Sequence, residues 1–212
     1  MPLTRLPFAL LIALATPGLS PSALAMPILL PDKADLASRT AAMPASLTDL
    51  PAPVIAAFIA QEDRFFWERV RAGKDSTLTA MAVRLLAEGT PTGWSQASPL
   101  EQKDAVEALT ANATAESILT IYLNLIPLGD GVTGLTEAAQ KYFDKSPKAL
   151  TPAEAAWLAA VAGSPEIALK PANAGRTKSQ RDYILRQMHK AGAITDDALE
   201  AQLQQPVPTQ PD

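Results

Sequence analysis

The sequence predicts an all-α protein, and three observations carry that prediction. Apolar residues recur at helical three- and four-residue spacing through most of the chain. Helix-starting hydroxyl residues precede several of these runs, two of them followed by Pro and then Glu. Alternating β-branched stretches of the strand type are absent.

Taken in order, the first 25 residues read as an export signal. Arg5 is the only charged side chain before Asp32, an apolar run spans Leu6 to Ala15, and Pro17-Gly18 breaks it. Ala23-Leu24-Ala25 then supplies the small-x-small pattern that a signal peptidase accepts. The run is shorter than the roughly 20 residues a membrane span needs. A mature chain starting near Met26 is therefore expected in the periplasm or cell envelope, with a retained membrane anchor as the other reading. Residues 26–50, rich in Pro, Ala and Ser, predict an extended lead-in.

The helical domain is expected over residues 51–205. Val54, Ile55, Phe58, Ile59, Phe65 and Phe66 give a helix from Pro51 to Val70. Asp75-Ser76 precedes a second run (Leu78, Met81, Ala82, Leu85, Leu86) that stops at Gly89. Ser98-Pro99-Leu100-Glu101 and Thr151-Pro152-Ala153-Glu154 are capping boxes with Pro at the first helical position. Thr114 caps the run from Ile118 to Leu125. A helix from Gln180 to Lys190 ends at Gly192, and Thr195-Asp196-Asp197 starts a last short one. The tail from Pro206 to Asp212 reads as disordered.

Composition narrows the chemistry. There is no cysteine, so disulfides, thiol nucleophiles and zinc-thiolate sites are excluded. The single histidine, His189, lies in a polar late helix and cannot build a metal cluster or support a convincing Ser-His-Asp triad. A formal net charge of −4 speaks against a nucleic-acid partner. Catalysis would rest on carboxylates, hydroxyls and basic groups.

Glu62 is the candidate carboxylate. It lies three residues after Ile59, four after Phe58, three before Phe65 and four before Phe66, which puts it on the apolar stripe. Burial there disfavours the charged form and raises the pKa unless a cation compensates, as a general acid or base near neutral pH requires. The alternative is a structural Glu paired with Arg64, Arg69 or Arg84. Arg64, Arg69, Arg71, Lys74 and Arg84 cluster nearby. Such a group suits a phosphate leaving group, and equally a solvated helix face.

These residues resemble glycosyltransferase family 51, the peptidoglycan transglycosylases of penicillin-binding proteins and monofunctional enzymes. Gln61-Glu62-Asp63-Arg64-Phe65-Phe66 is similar to the E-D-x-x-F signature. Ser76-Thr77-Leu78-Thr79 is similar to the start of S-T-[IL]-T-Q-Q. Ile118 to Asn124, with the glycines 129, 131 and 134, resembles the I-L-x-x-Y-L-N…G-x-G-x-x-G block. Similar pieces run on through Tyr142, Glu154 to Ala159, and Arg181 to Leu185, covering nearly the whole expected mature chain.

The resemblance implies a lysozyme-like, two-lobed helical domain. Its substrate would be lipid II or a peptidoglycan strand, and its setting would be near the membrane surface and other cell-wall synthesis proteins. It implies Glu62 as general base on an acceptor sugar hydroxyl and Asp63 as an adjacent orienting acid. Ser76, Thr77, Thr79, Arg84, Lys103 and Arg64 would contact substrate, and a divalent metal, Mg or Mn, would assist the pyrophosphate.

The departures are specific. Arg69 and Arg71 replace the His and Gly after E-D-x-x-F, Ala80 and Met81 replace the paired glutamines, and Arg84 replaces a Lys. No R-K-x-x-E occurs. Gln102-Lys103 followed by Glu107 is one alignment, making Glu107 the second carboxylate. Glu101 or Gln102 is the other, although Glu101 already serves a capping box. Three functions follow: a divergent polymerising enzyme, a degenerate domain that binds substrate, glycan or a cell-wall partner, and a lysozyme-type glycan-cleaving enzyme.

Overall fold

The computed structural model describes residue 28, residues 30–88 and residues 93–208. The expected export signal, Gly89 as a helix stop, and residues 209–212 of the tail lie outside these. The described residues form an all-helical fold of eleven α-helices joined by 3-10 turns. The one β-type contact among them is an isolated bridge between Pro127 and Thr133.

The lead-in is not extended throughout. Helix α1 (Lys33–Ala41) forms because Asp32 caps it, accepting from the Ala34 and Asp35 N–H groups at 2.9 Å each. The Asp35–Arg39 pair spans one turn on its exposed side, and Leu36 anchors it in the core.

The single helix predicted over residues 51–70 is two. Helix α2 (Ala52–Glu62) stops because Asp63 turns to extended backbone, and α3 (Phe66–Arg71) restarts behind it. The Asp63 carboxylate bridges the break by accepting from Phe65 N–H at 3.1 Å.

Helix α4 (Thr77–Ala87) is capped by Ser76, α5 (Pro99–Asn112) by the Ser98/Glu101 box, and α6 (Ala115–Leu125) by Thr114. Helix α7 (Leu135–Phe143) precedes α8 (Pro152–Ala162), which starts with the Thr151/Glu154 box. A single turn, α9 (Pro165–Ala168), leads to α10 (Ala174–Lys190) and α11 (Asp196–Leu203). Helix α10 starts six residues before the predicted Gln180, because its first turns are polar and solvent-facing and carry no apolar period.

Helix α8 is buried from Ala155 to Ala162, as expected of a helix apolar all round, and its alanines let α2 and α10 approach closely. Helix α6, buried from Ile118 to Leu123, packs against α4, which in turn carries α5, and these form a second group. The two groups meet where α2 reaches α6, through an edge-to-face contact of Phe58 and Tyr122 with centroids 6.2 Å apart.

Asn124, Gly129, Gly134 and Tyr142, whose motif positions suggest turn and packing roles, have them. The Asn124 amide accepts from Ala45 N–H and donates to the Ala45 carbonyl, tying the lead-in to α6. Gly134 sits at φ +82°, with the Asn124 carbonyl oxygen 2.4 Å from where a Cβ would lie. Tyr142 donates to the Leu128 carbonyl at 2.9 Å. His189 pairs with Asp196 between α10 and α11, away from the candidate site. Arg181 is wholly buried, bonded to Asp182 and to the carbonyls of Leu203 and Gln205, so it fastens the C-terminal segment to α10.

Candidate active site

Glu62 is the last residue of α2, where the helix leaves the core. It is half-buried, and its Oε1 accepts a hydrogen bond from the Tyr122 phenol at 3.2 Å. Burial raises its carboxyl above the usual range, and the Tyr122 bond draws it part of the way back. None of the expected arginine partners reaches it. Arg69 pairs with Asp63 at 3.5 Å, Arg64 lies over the Phe65 ring at 4.6 Å, and Arg84 is exposed with no ion pair among the described residues. Glu62 is thus a partly desolvated acid held by a neutral donor.

Asp63 is buried and has a different job. Its Oδ1 accepts from Phe65 N–H and its Oδ2 from Thr77 N–H at 3.2 Å, so one side chain closes the starts of both α3 and α4. Anionic acceptors at helix N-termini are favoured by the exposed N–H groups and the dipole. With Arg69 also beside it, Asp63 orients the segment around Glu62.

The second-signature hydroxyls are positioned by α4. Ser76 caps the helix through Thr79 N–H at 3.0 Å, and its hydroxyl lies 2.8 Å from that of Thr79. Thr79 is wholly buried, so it supports Ser76 from within. Thr77 is exposed and available to a ligand.

Lys103 and Glu107 pair with each other one turn apart on the exposed side of α5. The ammonium of Lys103 is held in its charged form chiefly by that hydrogen bond, with smaller help from Asp104 and Asp75. Asp75 also lies 3.4 Å from the Thr110 hydroxyl, which joins α5 to the turn before α4. Glu101 is occupied by its capping box, both oxygen contacts being with Ser98.

No three His, Asp or Glu groups among the described residues converge as metal ligands. Glu62 is bonded to Tyr122, Asp63 to two backbone N–H groups and Arg69, and Glu107 to Lys103.

Phe65, expected on the buried stripe, is 41% exposed, because the break at Asp63 rotates it outward. It borders an apolar groove of about 660 Å³ lined by Ile55, Ile59, Arg64, Phe65, Trp67 and Lys190, among others. Tyr122 is the site residue that sequence reasoning missed. It stands 60 residues from Glu62, and its place in the I-L-x-x-Y-L-N block was its only signal.

The sequence profile of the transglycosylase family matches residues 75–189, beginning after Glu62. The chain is 40% identical over 94 residues to penicillin-binding protein 1A of Rickettsia felis, covering 44% of this chain and 12% of that protein. It is 48% identical over 75 residues to the biosynthetic peptidoglycan transglycosylase of Escherichia coli O1:K1 / APEC, covering 35% of this chain and 31% of that one. The crystal structure of penicillin-binding protein 1A from Haemophilus influenzae superposes with a TM-score of 0.48 at 26% identity, over 78% of this chain and 18% of that one. The chain therefore spans less than a third of the length of these relatives. On the strength of the profile match over more than half its length, this chain belongs to the transglycosylase family.

Proposed function

We propose that this chain is a peptidoglycan glycosyltransferase of the cell envelope in which Glu62 takes the proton from an acceptor sugar hydroxyl during polymerisation of lipid II. The observation that carries the reading is the half-buried Glu62 carboxyl, held by the neutral Tyr122 phenol and with no cationic partner among the described residues, a setting that raises its pKa. A base in that condition gains driving force for proton abstraction near neutral pH. In this reading Thr77, Arg64 and Arg84, all exposed, contact substrate, and Ser76, Thr79 and Asp63 hold the loop that presents it. The apolar groove beside Phe65 suits the hydrocarbon portion of a lipid-linked substrate. Glu107 would serve as the second carboxylate only after leaving Lys103. A divalent ion would have to arrive with the pyrophosphate, whose oxygens would complete its ligands.

A second reading is a non-polymerising family member that binds the lipid-linked substrate, glycan or a cell-wall partner. One observation favours it: Asp63 is a buried cap and Glu107 is paired on an exposed helix face, so neither is bonded toward Glu62. Export to the periplasm is common to both readings, and no helix of the described residues is long and apolar enough to cross a membrane.

The deciding experiment incubates purified protein with labelled lipid II and Mg or Mn, beside Glu62→Gln. Polymer from the parent, lowered about 10²–10⁴-fold in the variant, supports the base. No polymer from a folded parent that still retains lipid II moves the assignment to the binding reading.

A further inference from the structure

On the far side of α2 from the apolar groove lies a polar crevice of about 290 Å³. It is bounded by the end of α8, by α9 and by the first two turns of α10. Gln61, Asn173 and Gln180 bring three amides to it, Ser164 and Thr177 bring hydroxyls, and Arg176 brings the charge.

The local bonds leave defined groups free. Gln180 Nε2 donates to Gln61 Oε1 at 2.8 Å. That bond leaves Gln61 Nε2 as a donor and Gln180 Oε1 as an acceptor, neither with a partner among the described residues. Exchanging O and N in both amides would leave the same inventory, one amide N–H₂ and one carbonyl. Asn173 gives its N–H₂ to the Ile167 carbonyl at 2.8 Å, which leaves its own oxygen without a partner among the described residues. Gly163 borders the crevice, and a Cβ there would come within 3.2 Å of Gln61 Nε2. The absence of a side chain at that position is what leaves the space open.

The electrostatics favour an anion. Arg176 forms no ion pair with the described residues. It stands in the first turn of a 17-residue helix that has neither an acid in that turn nor a side-chain cap. The positive end of the helix dipole therefore adds to the guanidinium.

We infer that this crevice is a second ligand subsite, which takes the carboxylate end of a short peptide. The carboxylate would sit on Arg176 at the α10 N-terminus, and the preceding peptide group would exchange hydrogen bonds with the free Gln61 and Gln180 amide atoms. A neutral sugar would satisfy the amides and leave the guanidinium and helix end unanswered, so the charge arrangement selects the peptide acid. The inference is independent of the proton transfer assigned to Glu62.

The test uses the full chain with ¹⁵N-labelled glutamine and asparagine side chains, titrated with N-acetyl-alanyl-alanine as the free acid and as its C-terminal amide. The free acid is expected to shift the Gln61 and Gln180 signals saturably in the millimolar range, and the C-terminal amide at least tenfold more weakly. Arg176→Gln should remove the preference for the acid while leaving the weak binding of the amide. Gly163→Leu, at a backbone position any residue adopts, should fill the crevice and abolish both. Glu62→Gln should bind like the parent, which separates this site from the proposed base. Equal binding of acid and amide, no effect of Arg176→Gln, or stronger saturation of the same signals by N-acetylglucosamine would each overturn the assignment.

Discussion

The Tyr122 phenol donates to Glu62 Oε1 across 3.2 Å, joining the middle of one helix group to the end of a helix in the other. Tyr122 is wholly buried, and its own ionisation is pushed well up by that burial and then by the Glu62 charge. It is therefore a donor at every working pH. Burial sets how strongly the carboxyl holds its proton, and the bond fixes where it points and draws its pKa part of the way back.

Tyr122→Phe removes the donor and leaves the ring packing with Phe58 in place. The expected cost is about 1 kcal/mol of stability near neutral pH, measured by urea denaturation. Since the bond lowers the Glu62 pKa, its loss should move the acid limb of any activity profile to higher pH. An unmoved limb would show that the phenol does not hold the carboxylate in the working protein.

Glu62→Gln tests the same group through stability. A carboxyl whose folded pKa is raised binds its proton more tightly folded than unfolded. Its favourable contribution is present below the ordinary carboxylate range and is lost as pH rises through the raised value. Gln cannot ionise, so the variant should melt at or above the parent temperature in mildly alkaline buffer, and the gap should close toward acid pH. A loss of stability in mildly alkaline buffer that closes toward acid pH would instead mean that the site needs the anion.

Asp63→Ala should be far more costly than its place in a motif suggests. Two helix-start N–H groups lose their acceptor and Arg69 loses its partner. A loss of about 2–4 kcal/mol is expected in denaturant unfolding, and Asp63→Asn, with one remaining amide oxygen, should recover part of it. Activity of Asp63→Asn normalised to folded protein then distinguishes positioning from contact with substrate.

Lys103 and Glu107 provide the opposite case. Their pair is exposed, so Glu107→Gln should change stability by no more than about 0.5 kcal/mol. Because the fold is spared, polymer formation by this variant reads the role of Glu107 directly. Loss is expected if it is the second carboxylate, whereas unchanged polymer would return it to the solvated helix face.

Arg181→Ala should lower stability by about 3–5 kcal/mol by the urea midpoint, because the Leu203 and Gln205 carbonyls and Asp182 lose a buried charged partner. Arg181→Lys should restore little, since an ammonium cannot reach three acceptors in the geometry of a planar fork.

The caps read from sequence at Ser76, Ser98, Thr114, Thr151 and Thr195 all carry their expected hydrogen bonds. Such bonds join residues only two or three positions apart, so local chemistry suffices. Helix α1 was missed although Asp32 is a good cap, because its run holds one buried apolar residue and gives no period. The break after Glu62 was missed because Phe65 and Phe66 extend the apolar pattern straight across it.

By itself the sequence determined the helical class, most helix starts, the family likeness and Glu62 as the carboxylate to follow, since periodicity, capping and motif spacing are properties of neighbouring residues. Only the tertiary structure decided what Glu62 faces. Tyr122 and no arginine is its partner, Asp63 is a buried double cap, Glu107 is tied to Lys103, and Gln61 and Gln180 meet across 119 positions to floor a crevice. The physical reason is that a carboxylate takes its pKa and its chemistry from groups within a few ångströms, and in a packed helical fold those groups come from distant turns.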